Sequence, residues 1–125
     1  MKKELKSTGA PGAIGPYSQG IKAGNFVYVS GQLPINAVTG EMPDDVKEQT
    51  RQSLENVKAI LAEAGATMHD VVKSTVYLAE MSYFGAMNEV YGEYFEGSVY
   101  PARAAFAVKE LPKQAKVEIE VVAYV

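Results

Sequence analysis

The chain has no cysteine among its 125 residues and only one histidine, His69. The absence of cysteine excludes disulfides, thiolate metal sites and cysteine nucleophiles. His69 lies in TMHDVV, where we expect it to be structural or solvated, so the sequence predicts neither a Ser-His-Asp nor a Cys-His triad. No metal-ligand spacing, GxGxxG pattern or P-loop pattern is present. The sequence therefore predicts a protein that uses no metal and no organic cofactor.

Long apolar runs and clusters of positive charge are also missing. No run approaches the roughly 18 apolar residues of a membrane span, and MKKELKSTGAPG lacks the apolar core of a signal peptide. The net charge is −3 with a pI near 5.2, and Lys2-Lys3 is the only adjacent basic pair. Nucleic-acid binders usually carry a basic face. We therefore expect a cytoplasmic protein whose partner is a small molecule or another protein.

Turn residues and hydrophobic spacing predict a single domain over residues 1–125, with loops at 7–20 and 32–44. Helices are predicted at 45–64 and 82–97. Strands are predicted at 1–6, 26–30, 70–80, 103–108 and 117–125. This order of elements indicates an α+β sandwich in which both helices cover one face of a mixed sheet.

The second face of that sheet is predicted to be aromatic. Phe26, Tyr28, Tyr77 and Tyr124 occupy alternate strand positions, and so much aromatic surface is usually covered by another chain. We therefore expect the protein to be an oligomer.

Arg103 is the one charged residue in the apolar stretch SVYPARAAFAV. Its planar guanidinium matches a carboxylate, and the small residues Ala102, Ala104 and Ala105 leave room beside it for a ligand. The alternative is a solvated arginine paired with a nearby glutamate. Composition alone leaves these two interpretations equally open.

Glu118 and Glu120 alternate with Val117, Ile119 and Val121, so both carboxylates point to one face of the sheet. They are either the solvent side of an edge strand or part of a site. If strands 103–108 and 117–125 form a hairpin, Arg103 and Glu118 lie roughly 16 Å apart. A site that used both residues would then need two subunits.

Other polar candidates carry weaker signals. The backbone at Ser30-Gly31 allows close approach of a ligand, but it is equally an ordinary strand end. Tyr17, in a Gly-Pro loop, either covers a pocket or packs locally. Asn88, on the second helix, is either a pocket residue or a surface residue.

Taken together, these stretches resemble the Rid (YjgF-type) family of imine deaminases over the whole chain. The stretch YPARAAFAVKELPKQAKVEIEVVA is similar to the C-terminal signature of that family. AIGPYSQGIKAGNFVYVSGQLP is similar to its N-terminal hallmark, and NVKAILAEAG and VVKSTVYLAEMSYFGAMNEVYGEYF are similar to its middle.

The resemblance implies a chorismate-mutase-like two-layer fold and a homotrimer with three clefts between subunits. It also implies hydrolysis of 2-imino acids, the reactive products of pyridoxal-phosphate enzymes such as threonine dehydratase, to 2-oxo acids and ammonia, without a cofactor. Two alternatives stay open. One is a regulatory protein that binds a 2-oxo acid without turnover. The other is an endoribonuclease or translation inhibitor, against which the acidic pI argues.

By the same resemblance, Arg103 binds the substrate carboxylate and Glu118 orients or activates the attacking water. The pocket is lined by Tyr17, Ser30, Gly31 and Asn88. Ala105 stands where the family commonly has cysteine, which excludes a thiol role and leaves its backbone N–H as the contact.

Overall fold

A computed structural model describes residues 1–125 as six strands and two helices, with short 3-10 turns at Met68–Asp70, Met81–Tyr83 and Pro112–Gln114. In chain order the elements are β1 (Lys2–Leu5), β2 (Gly20–Ala23), β3 (Phe26–Gln32), α1 (Val46–Ala62), β4 (Val71–Leu78), α2 (Phe84–Phe95), β5 (Ala102–Ala107) and β6 (Val117–Tyr124). Neither helix is long and apolar enough to cross a membrane. The α+β class and the predicted mixed sheet are confirmed.

The observed elements differ from the predicted ones at two places. β2 has no counterpart among the predicted strands, because its four residues are too few to show alternation. It pairs with both β1 and β3, so it joins the N-terminal strand to the sheet. α2 begins at Phe84 rather than residue 82, since Met81–Tyr83 form a 3-10 turn.

The strands form one sheet in the order β1-β2-β3-β6-β4-β5. All pairs are antiparallel except β4 and β5, which α2 connects as parallel neighbours. The hairpin considered for residues 103–108 and 117–125 is therefore wrong. β4 lies between β5 and β6, and β5 forms the edge of the sheet.

Both helices pack on one face of the sheet around a single hydrophobic core. From α1, Leu54, Val57 and Ile60 are completely buried. They meet alternate residues of the central strands, among them Val76 and Ile119. The remaining residues of β6 point to the other face, which the helices leave uncovered.

α1 is defined by clear signals at both ends. The Asp45 side chain accepts a hydrogen bond from the Glu48 N–H at 3.1 Å, which satisfies one free donor of the first turn. Gly65, at φ +72°, lets the chain turn back after the helix. The Ala66 N–H then bonds to the Leu61 carbonyl at 3.0 Å.

Two buried amides on α1 hold the long loop that follows β3. Asn56 donates to the carbonyls of Leu33 at 3.1 Å and Ile35 at 2.9 Å. Gln49 donates to the Pro43 carbonyl at 2.7 Å and accepts from the Lys116 N–H at 2.8 Å. Polar residues on the buried side of an amphipathic helix thus fix a loop that has no regular structure of its own.

The uncovered face is aromatic, as predicted. Phe26, Tyr28 and Tyr124 are 43%, 47% and 50% exposed, and the Phe26 ring lies 5.2 Å from that of Tyr124 and 6.3 Å from that of Tyr28. Further along the sheet, the Tyr77 and Phe106 rings meet edge to face at 5.6 Å. We call these five side chains the aromatic face.

We predict that Asn56→Ala lowers the free energy of unfolding by about 1–3 kcal/mol, because it leaves two partly buried carbonyls without their donor. Lys58→Ala, on the exposed side of the same helix, is the matched control and should change stability by less than about 0.5 kcal/mol. Urea unfolding measures both. Equal stability of the two variants would contradict the role assigned to Asn56.

Candidate functional site

The Arg103 side chain lies against α2, on the helix-covered side of the sheet. Its guanidinium carbon is 4.7 Å from the centre of the Tyr91 ring and 5.5 Å from that of Phe84. One terminal nitrogen donates to the Asn88 side-chain oxygen at 2.7 Å. None of the four ion pairs in the structure includes Arg103. The alternative in which Arg103 pairs with a nearby glutamate is therefore not observed. The half-buried guanidinium has no acidic partner in the chain.

The register of the parallel strands explains this direction. Arg103 is opposite Ser74 on β4, and the side chains of directly paired residues share a face. Ser74 is buried, and its hydroxyl lies 2.6 Å from the Tyr91 hydroxyl. Burial raises the pKa of Tyr91, which keeps the phenol neutral beside the guanidinium.

A cleft of about 390 Å³ opens beside Arg103. It is lined by Asn88, Tyr91, Gly92, Tyr100, Pro101 and Arg103. Ala105, two residues further along β5, packs against the hydrophobic core and supplies no reactive group. The cleft thus combines one free cation, one amide and aromatic walls, which suits a small molecule with a carboxylate.

Glu118 and Glu120 share the uncovered face of the sheet, as predicted. Glu120 accepts a 2.5 Å hydrogen bond from the Tyr77 hydroxyl, which raises the pKa of Tyr77 to about 12. Glu118 is half-buried. Burial, and then the charge of Glu120, raises the pKa of the Glu118 carboxyl. The pKa of Glu118 is therefore closer to neutral pH than that of an ordinary glutamate.

Gly31 lies directly beneath the Glu118 carboxylate. A β-carbon at position 31 would overlap Glu118 Oε2, so a larger residue would displace that carboxylate. The register of β3 against β6 shifts between Val29 and Gln32, on either side of this contact. Glycine is needed here for close approach rather than for an unusual backbone angle.

A second cleft, of about 500 Å³, lies on this side of the molecule. Gly31, Tyr17, Ile35 and Lys113 are among the residues that line it. Tyr17 is 53% exposed at its rim. The second cleft is more apolar than the one at Arg103.

Ser30 holds the Tyr17 loop through its hydroxyl and its backbone N–H. Its hydroxyl donates to the Ser18 carbonyl at 2.6 Å, and its backbone N–H donates to the Gln19 carbonyl at 2.9 Å. The Gln19 side chain in turn donates to the Pro11 carbonyl at 2.7 Å and accepts from the Ser7 N–H at 2.7 Å. Sequence reasoning did not single out Gln19, although a buried glutamine between two loops is a typical loop anchor.

The candidate residues therefore form two groups that one chain does not bring together. Arg103 and Asn88 lie on the helix side, whereas Glu118 and Gly31 lie on the uncovered side. β4 lies between the strands that carry these two residues. Arg103 on β5 is opposite Ser74 of β4, and Glu118 on β6 is opposite Tyr77 of β4. Arg103 and Glu118 are separated by roughly 10 Å perpendicular to the strands and by roughly 10 Å along the strand direction. The hairpin of strands 103–108 and 117–125 is wrong, but Arg103 and Glu118 are nevertheless well separated within one chain, as that hairpin implied.

Tyr91 and Phe84 contact Arg103 but are not among the candidate residues singled out from the sequence. The signal was available, because Phe84, Asn88 and Tyr91 are spaced four and three residues apart and so share one face of α2. His69, by contrast, is exposed and lies outside both groups.

We predict that Glu118→Gln raises the free energy of unfolding near pH 7 but leaves it almost unchanged near pH 4. A carboxyl whose folded-state pKa is raised favours the folded state when protonated, and this contribution is lost as pH rises through that pKa. Thermal unfolding across this range measures the effect, with the exposed Glu110→Gln as control. A gain that is the same at both pH values would contradict the assignment.

Comparisons with known proteins identify the family to which this chain is similar. The model of the Endoribonuclease L-PSP family matches residues 7–125. The RutC family protein of Pyrococcus horikoshii is 55% identical over 125 residues, covering 99% of this chain and 98% of the relative. The 2-iminobutanoate/2-iminopropanoate deaminase of Escherichia coli is 46% identical over 125 residues, with 98% of both chains covered.

A solved structure extends the likeness to three dimensions. The crystal structure of E. coli TdcF with bound serine superimposes with a TM-score of 0.96 at 46% identity, covering 98% of each chain. A family model that matches nearly the whole chain and relatives at this level of identity leave one assignment. The chain belongs to the Endoribonuclease L-PSP family, also known as the Rid or YjgF family.

Proposed function

We propose that this protein hydrolyses 2-imino acids to 2-oxo acids and ammonia. The observation that carries the proposal is the Arg103 guanidinium, which is half-buried, stacked on aromatic rings and free of any acidic partner. A relative named as a 2-iminobutanoate/2-iminopropanoate deaminase supports it. TdcF binds serine, whose carboxylate and neighbouring nitrogen-bearing carbon are arranged as in a 2-imino acid.

We further propose that the protein is a homotrimer whose active sites form between subunits. The positions of Arg103 and Glu118 on opposite faces of one sheet support a shared site, because one chain cannot direct both at a small ligand. The aromatic face supports burial against another copy. The number three rests on the resemblance to the family.

The proposed mechanism needs few protein groups, because a protonated imine carbon is already electrophilic. Arg103 holds the carboxylate of the substrate through charge-assisted hydrogen bonds. Glu118 of the neighbouring subunit orients a water and accepts its proton as the water oxygen bonds to C2. The carbon–nitrogen double bond becomes single, and a tetrahedral amino alcohol forms.

The second half of the reaction returns the proton. Glu118 delivers it to the nitrogen of the amino alcohol, and the carbon–nitrogen bond breaks. Ammonia leaves as the hydroxyl gives its proton to the freed Glu118 carboxylate and becomes the 2-oxo group, and that proton then passes to water, which returns Glu118 to its starting form. The raised pKa of Glu118 suits a group that must both take and give a proton. No electron donor or acceptor is required, since hydrolysis adds only the elements of water.

The other candidate residues have supporting roles in this proposal. Asn88 fixes the direction of Arg103, Gly31 gives the Glu118 carboxylate its space, and Ser30 holds the loop that carries Tyr17. Ala105 occupies the position at which the family commonly has cysteine. No thiol step is therefore proposed.

The family description also names an endoribonuclease. That activity is the weaker candidate here, because the chain has a net charge of −3 and the Arg103 cleft offers a single cation for a polyanion. RNA binding that weakens steeply with added salt would favour it.

Arg103→Ala should lower kcat/KM for freshly generated 2-iminobutanoate about 100-fold, as expected for the loss of roughly 3 kcal/mol from a charge-assisted contact. Arg103→Lys should recover only part of the rate, because an ammonium lacks the planar fork. Release of 2-oxobutanoate measures both, with exposed Lys109→Ala as control. Full activity of Arg103→Lys would refute the proposed carboxylate contact.

A mixing experiment tests whether the site is shared. Arg103→Ala and Glu118→Gln chains are unfolded, mixed in equal amounts and refolded together. Random assembly gives about a quarter of the shared sites one intact Arg103 and one intact Glu118, so about a quarter of wild-type activity should return. Arg103→Ala mixed with the double variant is the control and should stay inactive. No recovery in the first mixture would mean that the two residues act within one chain.

A further inference from the structure

We propose that Tyr91 is a positioning residue whose ring holds the Arg103 guanidinium in its binding orientation, and that the hydrogen bond between Tyr91 and Ser74 stabilises the folded structure around that ring. The inference deepens the proposed function and rests on it, because it concerns the same carboxylate contact. It assigns a role to a pair of buried hydroxyls that the hydrolytic steps themselves do not use.

The Tyr91 ring is the surface nearest to the charge. The guanidinium carbon lies 4.7 Å from its centre, closer than the 5.5 Å to Phe84. At these distances the negative face of an aromatic ring attracts a cation. Two aromatic side chains of one helix thus contact a single arginine from the neighbouring strand.

The Tyr91 side chain is held both at its hydroxyl and by packing of its ring. Its hydroxyl lies 2.6 Å from the Ser74 hydroxyl, in a buried pair where one group donates and the other accepts. Its face packs on Phe95, with the ring centres 4.6 Å apart. Tyr91 is 4% exposed and Ser74 is 1% exposed, so water does not compete for this hydrogen bond. The ring is therefore a rigid support.

Arg103 needs such a support because no acidic group restrains it. It lies on an edge strand between alanines, and its long side chain has a large rotamer entropy. An acidic partner would restrain it but would compete with the substrate carboxylate. An aromatic ring restrains the cation without accepting its N–H groups.

The hydrogen bond to Asn88 completes the orientation. Asn88 accepts from one of the five N–H groups of the guanidinium, and an aromatic ring accepts none of the others as a hydrogen-bonding carboxylate would. The remaining N–H groups lie in the plane in which a carboxylate binds. The support thus leaves free the groups that the proposed reaction uses.

The test compares substitutions at two tyrosines of α2. Tyr91→Leu removes the ring and should raise the Kd for 2-oxobutanoate and the KM for 2-iminobutanoate roughly tenfold, with a smaller change in kcat. Tyr91→Phe keeps the ring and should bind within about threefold of wild type, although the protein unfolds at a lower temperature. The control is Tyr94→Leu, because the Tyr94 hydroxyl bonds to Glu55 on α1 and not to the Arg103 cleft.

An NMR measurement gives a readout that a general loss of stability does not move. Ring currents from Tyr91 should shift the Arg103 side-chain Nε–H signal, and this shift should diminish in Tyr91→Leu while persisting in Tyr91→Phe and Tyr94→Leu. Tyr91→Phe with Ser74→Ala removes both hydroxyls. It should recover thermal stability relative to Tyr91→Phe alone, because no buried hydroxyl then lacks a partner.

The outcomes separate this inference from the proposed function. If Arg103→Ala loses binding but Tyr91→Leu binds like wild type, the proposed function stands and the role of Tyr91 is overturned. If Arg103→Ala binds and reacts like wild type, the proposed function fails. The NMR signal then still decides the inference, because an unchanged Arg103 shift in Tyr91→Leu overturns it.

Discussion

Arg103 carries a positive charge that no acidic group of its own chain neutralises, and the organisation of the surrounding structure follows from this. A half-buried cation without an anion is unfavourable unless neighbouring groups solvate it. Here an amide oxygen and two aromatic rings from α2 do so in part. The remaining N–H groups face a cleft. The arrangement keeps the guanidinium oriented and available to a ligand, whereas a closed ion pair would occupy it.

The two faces of the sheet divide the chemistry. The helix-covered face carries a guanidinium without an acidic partner, and the uncovered face carries a carboxylate whose burial raises its pKa. Placing Arg103 and Glu118 on one face would allow them to pair directly, which would lower the pKa of Glu118 and occupy Arg103. Separation within a chain keeps both groups competent. In the proposed homotrimer a neighbouring copy would bring the two groups together, so that assembly and the proposed activity would be linked.

Much of the fold was predictable from local signals, whereas long-range pairing was not. The periodicity of α1 and its Asp45 cap are properties of adjacent residues, and both were evident. The position of β5 depends on which strand α2 returns to, and nothing in residues 102–107 encodes it. Arg103 and Glu118 were identifiable as charges at unusual places. The spacing of Phe84, Asn88 and Tyr91 on one helix face was also evident, but it does not show which residue that face contacts, because a tyrosine at helical spacing serves equally well as ordinary packing.

The absence of a thiol at position 105 constrains the chemistry that the site can perform. A thiol route would need a cysteine beside Arg103, and Ala105 with its neighbours Ala104 and Phe106 provides none. In the proposed reaction the attacking group is water, and the group proposed to activate it is the Glu118 carboxylate. An ordinary glutamate is a weak base for water, but the electrophile is an iminium ion that needs little activation. A glutamate with a raised pKa fits this proposed role. In the proposed reaction the main contribution of the protein is to hold the substrate carboxylate so that C2 faces that water.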